Sequence, residues 1–240
     1  MWVLFSGALL CAESFDKPIQ KKIVDLGLSP GDVRPQNEHV KLTCLYYAKF
    51  MVKELNDPAT QGAVFITVTP THTGQFPACT KKRLMGEKQF MDPGAGYGWS
   101  GYFDGVKDNL VFLDGDDGYN GGMPFAVFDA DSQKKLFEDS IQLVTRDGFS
   151  FTRRADGQLV VKYLRVLVGE CSVPKNGMMC WNQFKEKIEM KSAPMPVCKD
   201  YPPPDSGTAN SVIAYPVEVT FYPKPRIRPV GNPVKCWPED

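Results

Sequence analysis

Histidine is scarce in this chain, with only His39 and His72 among 240 residues. A Ser-His-Asp or Cys-His site needs one of them, yet neither stands beside a nucleophile motif, and GxSxG and HExxH do not occur. An excess of either charge is missing too. The 28 basic and 28 acidic residues cancel without long runs of one sign, so the electrostatic footprint of a nucleic-acid or anionic-membrane binder is absent. Past the first residues no apolar run approaches the roughly 20 residues of a spanning helix. The cysteines form no CxxC, and no Cys/His spacing suits zinc. These gaps argue against nucleic acid, a membrane span and nucleophilic catalysis.

What the chain does hold is glycine (21) and proline (20), which suit many short strands joined by turns. Between Trp99 and Val168 apolar runs alternate with turn signals, giving a continuous antiparallel meander. Arg146-Asp147-Gly148 and Ala155-Asp156-Gly157 separate its last strands, and Asp-Gly is a strong hairpin signal because both residues tolerate positive φ. Upstream, Val40–Leu55 reads as a strand or hairpin and Ala63–Val68 as a strand ended by Pro70. Helical spacing of Ile19, Ile23, Val24 and Leu28 predicts a short helix over 15–28, and Met179, Trp181, Phe184 and Ile188 predict another over 178–190 after a turn at Pro174–Gly177.

From Ala193 onward the chain holds more than half of the prolines and reads as an extended wrap over the sheet. One strand survives there, Ile213–Phe221, which Pro216 should demote to an edge or a bulge. Residues 1–14 resemble the back half of a secretory signal, with Ala12 and Ser14 at a cleavage spacing. With Cys11 set aside, Cys44, Cys79, Cys171, Cys180, Cys198 and Cys236 remain, an even set that reads as three disulfides in an oxidising compartment. Nearest neighbours are the expected pairs, Cys44 with Cys79, Cys171 with Cys180 and Cys198 with Cys236, although the sequence leaves other connectivities open. The protein is therefore expected to be extracytoplasmic, periplasmic or secreted.

Three runs, Asn109–Leu113, Phe125–Ala130 and Lys134–Phe137, resemble the inner-to-outer strands of one β-propeller blade, in which a strand ending in Asp-Ala turns into a Lys-x-Leu-aromatic strand. That resemblance implies a propeller-like arrangement. The exported six-cysteine β-domain with its Cys180-Trp181 helix also resembles bacterial secreted proteins of uncharacterised activity, which implies no reaction. The expected fold is all-β, one domain over 15–240 of antiparallel sheets with two short helices, propeller-like or else a disulfide-stapled β-sandwich.

Two clusters carry the functional expectations. Asp114, Asp116, Asp117 and Asn120 lie on a glycine-rich turn and offer hard oxygen ligands of the kind calcium takes. The same residues are also ordinary turn formers. Tyr97, Trp99 and Tyr102 offer an aromatic surface for a partner. The leading expectation is a non-catalytic binding protein for a protein or glycan, with no cofactor. The alternative is an extracytoplasmic hydrolase using acidic loop residues, with calcium as a possible aid. A concave pocket lined by carboxylates would favour the hydrolase, and a surface of those aromatics the binder.

Overall fold

A computed structural model of the chain describes residues 13–31, 37–71, 75–90, 101–142, 148–199, 209–231 and 234–239. The chain divides into two compact units, Phe15–Ile141 and Met1–Ser14 with Gln142–Asp240, where the sequence reading treats 15–240 as one domain.

In the Phe15–Ile141 unit, β1 (Gln20–Leu28), β2 (His39–Tyr46), β3 (Phe50–Asn56), β4 (Phe65–Pro70) and β5 (Lys88–Gln89) form one sheet in that order. A second sheet holds β6 (Gly101–Lys107), β7 (Leu110–Gly115), β8 (Gly122–Asp129) and β9 (Lys135–Gln142), again as sequential neighbours. Period-two alternation sets the layers. Leu45, Phe50 and Val52 of the first sheet meet Val106, Val111, Leu113, Ala126 and Phe128 of the second in one buried cluster. The intervening residues Val40, Leu42, Cys44, Met51 and Leu55 pack on the opposite face with Phe65, Cys79 and Leu84. Two sheets sharing a core make this unit a disulfide-stapled sandwich. Its blade-like strands are the β7–β9 meander of one layer, not part of a propeller.

That outer face is covered by the irregular stretch after β4, which is tethered by the Cys44–Cys79 disulfide. Lys53, fully buried, projects into it and donates to Glu87 Oε2 at 2.8 Å and to the carbonyls of Thr80 and Lys82 at 3.1 and 3.2 Å. A charged residue stands on a core face here because every donor of its ammonium finds an acceptor.

In the other unit β10 (Ser150–Arg153) pairs with β11 (Leu159–Val168) around the Asp156-Gly157 turn, where Gly157 has φ +83° as the hairpin signal requires. β11 pairs with β12 (Ser211–Thr220) through eight residues, and β13 (Arg226–Pro229) and β14 (Lys235–Pro238) share the far side of β12. The helix α1 (Val173–Lys187) buries Val173, Cys180, Trp181 and Phe184, and Trp181 Nε1 donates to Ala193 O at 3.1 Å. Disulfides Cys171–Cys180 and Cys198–Cys236 complete the expected pairing. No helix among the described residues is long and apolar enough to cross a membrane.

Three local expectations need correction. The helix expected over 15–28 is instead strand β1, in register with β2 from Gln20↔Tyr46 to Asp25↔Lys41. Pairing with an open strand outweighs the helical spacing, and Ile19, Ile23 and Leu28 end up exposed rather than on a buried helical face. Pro216 does not put β12 at an edge. Its carbonyl accepts from Val230 N at 2.9 Å, so its missing N–H also faces that side, in the gap between β14, paired up to Ala214, and β13, paired from Val217. The ladder to β11 therefore loses no donor. Finally, Pro174–Gly177 is not a free turn but the first turn of α1, with Pro near its N-terminus and Gly177 non-helical at φ 54°, ψ −135°.

Candidate functional site

The inward face of the first sheet changes character along its length. Phe50 and Val52 of β3 belong to the core, but the next residues on the same face are Glu54 and Asn56, with Thr43 and Lys41 opposite them on β2. Polar side chains at core-facing positions need partners or solvent. Here the sandwich opens into a cleft of about 610 Å³ whose lining includes His39, Lys41, Glu54, Asn56, Asp57 and Tyr102.

The β6 edge closes one wall. Phe103 N donates to Glu54 Oε1 at 3.0 Å, Gly62 N donates to the Tyr102 hydroxyl at 3.0 Å, and Ala63 N donates to Gly101 O at 2.7 Å. These bonds hold the carboxylate and the phenol from opposite sheets. Burial pushes Glu54 above the usual carboxylate range, partly offset by the Phe103 amide. Asp57 moves the other way, lowered by the Ser29 hydroxyl and the Ala59 amide that donate to it.

At the rim His39 Nδ1 lies 2.6 Å from Asp25 Oδ2, so ligand contact falls to Nε2. Asp25 is held below its ordinary range first by the Gly27 amide and then by His39. Ser29 directs its hydroxyl to Asp57 and not to the imidazole, so this His-Asp pair has no nucleophile from Ser29. In the cleft wall Asn56 Oδ1 is buried with no hydrogen-bond partner among the described residues. A buried acceptor without a donor is costly, about 1–3 kcal/mol.

Of the residues singled out from sequence, Tyr102 lines this cleft and is 42 % exposed. Tyr97, Trp99 and His72 lie outside the described residues. The acidic turn is divided between two structures. Asp114 belongs to β7, between Tyr102 of β6 and Phe125 of β8, and burial pushes its carboxyl up to about 6. Asn120 and Gly121, at φ 52° and 71°, form a two-residue turn closed by both hydrogen bonds between Tyr119 and Gly122, the Asn-Gly hairpin solution. Asp117 accepts from the amide of Gly118, while the carbonyl of Asp116 accepts from Gln61 Nε2. Among the described residues no three His, Cys, Asp or Glu side chains stand together in a way that would hold a metal.

Sequence reasoning missed Lys41, Glu54, Asn56 and Asp57 because no motif contains them, and it weighed His39 only as a catalyst. A signal was present in the alternation Phe50, Val52, Glu54, Asn56, where a core-facing row turns polar partway along a strand. In comparisons with protein-family models, curated proteins and solved structures, nothing matches this chain.

Proposed function

We propose that this is a non-catalytic binding protein of the periplasm or the extracellular medium, and that its partner is a glycan held in the cleft of the Phe15–Ile141 unit. Three disulfides fit an oxidising compartment. The cleft itself carries the reading, since core-facing positions of β2 and β3 turn polar where the sandwich opens. There Glu54, Asp57 and the Thr60 hydroxyl supply acceptors, Lys41 donates from the β2 side, and His39, its Nδ1 turned to Asp25, presents Nε2. A ligand bearing many hydroxyls, each both donor and acceptor, answers that mixture without needing net charge, and Tyr102 offers an apolar ring to its carbon face. Both inner carboxylates already accept backbone amides, from Phe103 and Ala59, which suits fixed recognition groups.

Titration calorimetry against a panel of neutral oligosaccharides tests this. Saturable binding is expected, weakened about tenfold or more by Asn56→Leu, the loss of roughly one buried hydrogen bond. An inert panel, or binding indifferent to Asn56→Leu and Tyr102→Ala alike, refutes it.

One observation favours a second reading, a hydrolase. The cleft is lined by carboxylates, and the fold pushes Glu54 up and Asp57 down, the division of labour of an acid and a base. Turnover of chromogenic glycosides that is abolished by Glu54→Gln would replace the first reading with the second. Calcium assistance at Asp114, Asp116, Asp117 and Asn120 belongs only to that second reading, and a chelator-sensitive melting midpoint is its mark.

A further inference from the structure

Among the described residues strand β1 is an edge of its sheet, pairing with β2 alone in the strand order. Natural edges are usually short, covered or broken by inward charges. This one is nine residues long and solvent-exposed along nearly its whole length, with Ile19 64 % and Ile23 56 % exposed. Its regular stretch is Gln20–Asp25. Beyond Asp25 the register shifts, and Gly27 takes φ +93°. An edge backbone regular over six residues, with exposed Ile23 within it and exposed Ile19 just before it, is a template for another strand.

We propose that a second copy of this chain occupies it, β1 pairing antiparallel with β1 across a two-fold axis through Ile23. Residues directly opposite in such a pair lie on the same face, so an axis normal to the sheet passes through one residue paired with itself. Within Gln20–Asp25 the choices differ sharply in charge. An axis through Lys21, Lys22 or Asp25 sets a like charge against itself. One through Val24 opposes Ile23 to Asp25 and Lys22 to Leu26. The axis through Ile23 sets Lys21 against Asp25 of the second copy, twice by symmetry, with the two exposed isoleucines facing each other between these ion pairs. Self-complementarity of this kind is what a closed two-fold interface requires. It also carries a lysine from the second copy to the carboxylate that holds His39 at the cleft rim, although the proposal does not depend on what the cleft binds.

Sedimentation equilibrium of the full chain over a concentration series provides the test. The wild-type mass is expected to rise from 26.8 kDa towards twice that value. Ile23→Lys, Lys21→Asp and Asp25→Lys should each hold the chain at the single-copy mass, and the swap Lys21→Asp with Asp25→Lys should restore the doubled mass. All three positions of change are surface sites, and unchanged circular dichroism melts confirm that the variants fold. Hydrogen exchange of the wild type gives a measure independent of variants, with β1 amides slowing as concentration rises. A wild-type chain that stays at 26.8 kDa throughout overturns the proposal and leaves the edge to a strand of another protein. A dimer unmoved by the single variants, or not restored by the swap, overturns it equally.

Discussion

Replacing Glu87 by Ala removes one of the contacts that hold the stretch after β4 against the outer face of the first sheet. Among the described residues the Lys53 ammonium then keeps the carbonyls of Thr80 and Lys82 and the Phe65 ring, whose centroid lies 5.5 Å away. Leu84 N also loses its acceptor, Glu87 Oε2 at 2.9 Å. Breaking a buried pair from one side strands the remaining charge, a loss of about 3–5 kcal/mol, whereas replacing both partners with neutral groups of similar shape is often neutral or stabilising. Glu87→Ala is therefore expected to destabilise by about 3–5 kcal/mol, a large share of the roughly 5–15 kcal/mol a domain possesses. Lys53→Met with Glu87→Gln should lie within about 1 kcal/mol of wild type. Urea unfolding measures the cycle, and hydrogen exchange in peptides over 75–90 shows whether the loss is local. A Glu87→Ala variant within about 0.5 kcal/mol of wild type, or a double variant as damaged as the sum of the singles, refutes the reasoning.

Paired Cys→Ala changes should scale with the loop closed. Cys44–Cys79 and Cys198–Cys236, separated by 35 and 38 residues, should each cost about 4 kcal/mol, and Cys171–Cys180, separated by 9, about 2.5 kcal/mol in urea unfolding. Asp114, raised from 3.8 to about 6 by burial, binds its proton more tightly in the fold than in the unfolded chain. Its contribution to stability is full below pH 3.8 and is lost as pH rises through about 6. Asp114→Asn should flatten that slope and exceed wild type above it in pH-dependent melts. Asp104 is pushed in the same sense, by crowding protein and then by the Asp114 charge, but its side chain is exposed and solvent screens its share. At Gly105 an added Cβ would stand 2.5 Å from the Phe15 ring, which itself packs edge-on to Phe112 at 5.3 Å. Gly105→Ala should thus cost about 1–3 kcal/mol in the same unfolding assay.

Much of the architecture was legible because its determinants are local. The Asp156-Gly157 hairpin, the Asn120-Gly121 turn and the alternating strands each depend on residues adjacent in sequence. Cysteine pairing followed loop proximity. What escaped depends on distant partners. Ile19, Ile23 and Val24 have helical spacing, and only the edge of β2, many residues away, makes them a strand. Pro216 looks like an edge marker until β13 and β14 are seen to leave a gap opposite it. The cleft was hidden for the same reason, since Glu54 meets Phe103 and Gly62 meets Tyr102 only after the two sheets face each other. Acidic residues crowded in sequence at 114–117 drew attention first, yet the structure places Asp114 on a strand and the others on the turn that follows.

We propose that the polar end of the first sheet, and not the acidic turn, receives the partner. Backbone amide shifts recorded while a bound oligosaccharide is titrated into the full chain test it most directly. Saturating changes are expected at Lys41, Glu54, Asn56, Thr60 and Phe103, with Asp116–Gly118 unmoved. Changes centred on that turn, or a spectrum unaltered across the whole panel, would contradict it.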